Sequence, residues 1–108
     1  MNGKDARDRP VEIKKAVEYA SGSIVSKTLI QKDVGTLTLF AFDAGESLSE
    51  HTAPYDAAVL VLEGKAEVTI GGTQHVLEEG GFIIMPANVP HALRALERFK
   101  MMLVMIKE

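Results

Sequence analysis

The chain has 108 residues, enough for one packed core and too few for two. A net charge of −3 without a basic stripe argues against nucleic-acid binding, and the lack of cysteine excludes disulfides, thiolate metal sites and cysteine nucleophiles. Hydrophobic residues at 46% suit a packed globule, no apolar run nears the ~20 residues of a membrane helix, and MNGKDARDRP lacks a signal-peptide core; a cytoplasmic protein with neither nucleic acid nor membrane as partner is expected.

Residues 1–10 are polar, end at Pro10 and read as a mobile tail, leaving 11–108 as a single domain. From Val11 to Ala20 the apolar positions fit neither the helix nor the strand period, so a short helix and an irregular lead-in strand both stay open. After the Ser21-Gly22-Ser23 turn the pattern becomes strand-like: Ile24 to Gln31, then Thr36 to Asp43, then the apolar run Ala57 to Leu62. Ala66, Val68 and Ile70 alternate with Glu67 and Thr69, and Gly71-Gly72 supplies the positive-φ pair of a tight hairpin turn before Thr73 to Leu77. Phe82 to Pro86, His91 to Leu96 and Phe99 to Lys107 follow. Eight or nine short strands with glycine-rich turns and no long helix predict an all-β barrel or sandwich.

Two stretches carry a more specific pattern. In GESLSEHTAPYDAAVLVLEG the frame is Gly45, His51, Ala53, Ala57 and Gly64; in GGFIIMPANVPHAL it is Gly80, Pro86, Asn88, His91 and Ala95. These frames, and the hairpin between them, resemble the paired signatures of the cupin superfamily over roughly residues 24–106. The resemblance implies a double-stranded β-helix, or jelly-roll barrel, and a divalent metal held by two histidines and a glutamate of the first signature with the histidine of the second. Only His51 and His91 stand at those positions. Ala53 replaces the second histidine, Ala57 the glutamate, and Ala95 the asparagine that closes the second signature.

Strand parity gives an independent reading of the same residues. His51, Ala53, Ala57, Val59 and Val61 share a parity, and so do His91, Leu93 and Ala95, which aims both histidines inward. Across the hairpin, His75 lies opposite Val68 and shares the inner face, so all three histidines are expected to line one cavity, with Tyr55 near its rim. A third metal donor would have to be His75, or Asp56 if Pro54 bulges the strand; otherwise alternation turns Asp56 outward. Met85, Met101, Met102 and Met105 could be read as soft ligands for copper, but their apolar strands make core filling the expectation. The last strand is apolar on both faces, as is Ala57 to Leu62, so its outer side needs a cover. A second subunit is expected to supply it, making a homodimer, with 11–20 as the intramolecular alternative. Two functions follow. One is a small-molecule-binding barrel whose ligand meets His51 and His91, with Tyr55 and His75 as further cavity residues. The other is a metal-dependent oxygenase or isomerase with Zn, Fe, Ni, Mn or Cu on the reduced set His51 and His91.

Overall fold

The computed structural model describes residues 7–107; residues 1–6, which make up most of the expected tail, and residue 108 lie outside the described residues. Nine strands form: β1 (Ile24–Lys32), β2 (Gly35–Phe42), β3 (Ser47–His51), β4 (Asp56–Glu63), β5 (Lys65–Ile70), β6 (Thr73–Glu78), β7 (Phe82–Met85), β8 (His91–Ala95) and β9 (Phe99–Ile106). All but β3 are legible in the sequence to within one residue at either end. Two antiparallel sheets result, ordered β1-β2-β9-β4-β7 and β3-β8-β5-β6. They face each other as the jelly-roll barrel that the motif frames imply.

The inner faces bury Phe42, Val59, Val61, Val68, Phe99 and Met101 almost completely, and the rings of Phe42 and Phe99 stack with centroids 4.5 Å apart. Each such side chain contributes roughly 1.5–3 kcal/mol by leaving water. Gly71 and Gly72, at φ 56 and 85, close the β5–β6 hairpin as the sequence requires. Gly64, at φ 85, turns β4 into β5 where a Cβ would lie 1.9 Å from the Arg98 carbonyl oxygen, so no larger residue fits.

Neither reading of residues 11–20 is complete. The segment makes one 3-10 turn, Ile13–Lys15, and otherwise runs irregularly across the outside of the five-stranded sheet. There it buries Val17 (3% exposed) against Leu39, Ala41 and Leu62. Polar ties hold it down. The Tyr19 hydroxyl donates to Glu63 Oε2 at 2.7 Å, the Lys100 ammonium donates to the Lys14 carbonyl, and Lys14 pairs with Glu79 at 3.0 Å. The intramolecular cover therefore exists but reaches only part of the face. Beyond it, Ile30, Leu37, Val104, Ala58 and Ile84 form a continuous cross-strand row over all five strands.

Candidate functional site

The two signature stretches meet at one end of the barrel. Two hydrogen bonds tie the loop before β8 to the first stretch: the Asn88 N–H donates to the Ala53 carbonyl in the loop after β3 at 2.7 Å, and the Ala87 N–H donates to Oδ1 of Asp56, the first residue of β4, at 2.8 Å. Asn88 sits at φ 65, a left-handed conformation that asparagine tolerates better than most non-glycine residues. This tie sets His51, the last residue of β3, opposite His91, the first of β8. β3 formed unannounced because Ser47–His51 carries one apolar side chain, Leu48; the ladder offered by β8, not local pattern, makes it a strand.

The imidazoles of His51 and His91 touch edge to face, with centroids 4.4 Å apart and rings at 68°, and their Nε2 atoms are 3.2 Å apart. Each Nδ1 faces a carbonyl two residues back, Ser49 at 2.8 Å and Val89 at 3.2 Å. A carbonyl oxygen only accepts, so both Nδ1 atoms carry the hydrogen and donate. Both Nε2 atoms then present lone pairs toward each other. Two acceptors at that distance repel unless a proton, a donor group or a cation lies between them. His91 is buried, whereas His51 is exposed at the mouth.

Behind the pair is a cavity of about 70 Å³. Phe40, Ala57, Met85, Met101, Leu103 and Met105 line it from the five-stranded sheet, and Leu48, Ala53 and Leu93 complete the wall around the histidines. Apart from the two imidazoles no lining side chain is polar. Alanine at 53 and 57 thus leaves space where the resemblance implies an imidazole and a carboxylate.

Two expectations, for His75 and Tyr55, are corrected. His75 has the inner parity, opposite Val68, but β6 is an edge strand two places from β8, roughly 10 Å away at the usual strand spacing, and His75 does not line the cavity. Tyr55 does not line it either; its ring lies under Lys107 Nζ at 5.6 Å. Asp56 is committed to the Ala87 amide and exposed, as simple alternation requires, so it is no third ligand. Leu48 and Phe40 are wall residues that the sequence reading did not single out; for Phe40 the signal was its alternation within β2.

A divalent ion of the kind the resemblance implies finds only half its donors here. Nε2 atoms 3.2 Å apart can both lie ~2.1 Å from one point. No cluster of three or more histidine, cysteine, aspartate or glutamate residues with metal-binding potential exists among the described residues. Two imidazoles without a carboxylate do not fit a firmly held divalent ion.

Comparison with known proteins agrees with this architecture. A family model for the cupin domain matches residues 38–107. A conserved protein of unknown function from Streptococcus pyogenes superposes with a TM-score of 0.92 at 35% identity, over 97% of this chain and 92% of that one. A cupin superfamily protein from Desulfitobacterium hafniense gives 0.91 at 28% identity, over 97% and 96%. A cupin 2 conserved barrel domain protein from Leptotrichia buccalis gives 0.84 at 41% identity, over 87% of this chain and 46% of that one, so the chain spans about half that protein's length. No curated protein matches.

Proposed function

The chain belongs to the cupin family, and on that footing we propose that it is a binding module that holds a small organic molecule in its barrel cavity. The observation that carries this reading is the His51–His91 pair, with two Nε2 atoms 3.2 Å apart at the mouth of an otherwise apolar pocket. Such a site suits a ligand with a short hydrocarbon body and one polar head that donates hydrogen bonds, such as a hydroxyl or an amine. The body is small: a cavity of about 150 Å³ takes the six heavy atoms of benzene, so one of about 70 Å³ takes about three, and a four-carbon body only once the methionines adjust. At a ceiling of about 1.5 kcal/mol per heavy atom, affinity for such a ligand is no tighter than micromolar. A metal-dependent oxygenase or isomerase needs a firmly held ion, and no observation at this site favours one.

Ligand-observed NMR with butan-1-ol, butylamine and butyrate tests the reading. Saturable binding of at least the alcohol or the amine, abolished in Ala57→Leu, where the added side chain plugs the pocket, is expected. No saturable binding of any of the three, or binding unchanged in the plugged variant, would sink it.

A further inference from the structure

On the outside of the five-stranded sheet, the row nearest the β1–β2 turn lacks a side chain at its centre. Gly35 opens β2 and pairs with Lys32 on β1 and with Ile106 on β9. One row along, Leu37 pairs with Ile30 and with Val104. Residues two apart on a strand share a face, so these five side chains ring the position where Gly35 has none. All five, with Val34 at the turn, line one groove of about 260 Å³. The gap is built into the fold, because a Cβ on Gly35 would lie 2.7 Å from the Met105 carbonyl oxygen.

The chemistry of the ring is one-sided. Its side chains are aliphatic except for Lys32, and no acidic residue lines the groove. Lys32 makes no ion pair among the described residues. Asp33 stands in the exposed turn outside the lining, and Asp56, beyond Ile106 on β4, is taken by the Ala87 amide. The neighbouring cation, Lys107, lies over the Tyr55 ring. An apolar trough with one unpaired ammonium on its rim suits a hydrocarbon tail with an anionic head. A cavity of about 150 Å³ takes the six heavy atoms of benzene, so one of about 260 Å³ takes about ten, the size of an eight-carbon carboxylate. We propose that the trough over Gly35 is a binding site for a medium-chain fatty carboxylate, with its tail among Ile30, Leu37, Val104 and Ile106 and its head at the Lys32 ammonium. The site lies outside the barrel and is independent of the ligand proposed there. A second copy packed over the same face meets the rims first and roofs the trough without filling it.

Octanoate, octan-1-ol and octylammonium would be titrated into the full chain at low salt, with the methyl signals followed by NMR. Saturable shifts from octanoate are expected at Ile30, Val34, Leu37 and Val104, with Ala53 and Leu93 in the barrel silent. Octanoate should bind at least about threefold more tightly than octylammonium, against the net charge of −3. In Lys32→Gln that preference should vanish, with octanoate weakened by about two- to fivefold and octan-1-ol unchanged. Leu37→Trp, which fills the trough, should abolish octanoate binding, and Ala57→Leu, which plugs the barrel, should leave it as it is. The proposal is overturned if Lys32→Gln keeps the parent's affinity for octanoate, if octylammonium binds as well as octanoate, or if Ala57→Leu abolishes the binding. Groove methyls that stay still at millimolar octanoate would overturn it too, and would leave a second copy as the occupant.

Discussion

Alanine at positions 53 and 57 shapes the chemistry of this barrel more than any charged residue does. Elsewhere, single charged residues govern stability. Asp43 opens the turn after β2 and accepts from Arg98 Nε at 2.8 Å, from the Gly22 N–H at 2.7 Å and from the Ala44 N–H at 2.9 Å. The Arg98 hydrogen bond first, and the two amides after it, hold its carboxyl at about 2, below the ordinary 3.8. The folded value lies below the unfolded one, so Asp43 contributes stability that is present above about pH 4 and fades as pH falls toward 2. Urea midpoints measured from pH 6 down to 2 should therefore fall less steeply below pH 4 in Asp43→Asn than in the parent, from a lower starting point. Parallel curves would show that the carboxylate plays no such part.

At the scale of elements, the N-terminal segment acts as a strap. Val17 is its anchor, and Val17→Ala should lower stability by about 1–3 kcal/mol, read from the urea midpoint at constant slope. Burial first, and then the bond to Glu63, push the Tyr19 hydroxyl well above the usual tyrosine range. Because the folded value is the raised one, the Tyr19 contribution is intact below about pH 10 and is lost at higher pH. The strap was hard to read because only Val17 is buried, with Ile13, Ala16 and Tyr19 half-covered, and one irregular line of contacts has no period. β3 was illegible for a similar reason, with Leu48 alone among polar residues. Where local pattern and tertiary role coincide, as in Ala66-Val68-Ile70 followed by Gly71-Gly72, the strand and its turn were plain. Parity likewise turned His51, His91 and His75 inward, but parity carries no strand order. The order β3-β8-β5-β6, which removes His75 from the site, exists only in the assembled sheet.

For the whole molecule, the two outer faces differ in kind. Outside the four-stranded sheet Ser47, Arg94 and Glu67 lie in one row, with Arg94 Nε 3.3 Å from Glu67 Oε1, and this face is solvated. Outside the five-stranded sheet, beyond the strap, Ile30, Val34, Phe82, Ile84 and Ile106 are 37–58% exposed. Together they bare on the order of 450 Å² of apolar surface, near the upper end of what monomers leave uncovered. A groove of about 260 Å³ runs through this half, lined in part by Ile30, Val34, Leu37 and Val104. A second copy of the chain is the expected cover, since a self-complementary apolar face buries both copies at once. Sedimentation should give twice the 11.7 kDa chain mass at micromolar concentration, and Ile84→Glu should return the single-chain mass. A parent protein sedimenting as one chain would contradict this. The groove is also the competitor for any small apolar ligand, being larger than the barrel cavity. The most direct test of the central claim is therefore to map where butan-1-ol binds by protein-observed NMR. Saturable shifts are expected in the imidazole signals of His51 and His91 and in the methyls of Ala53, Ala57 and Leu93; shifts confined to Ile30, Val34 and Leu37, with the cavity silent, would show that the barrel is not the binding site.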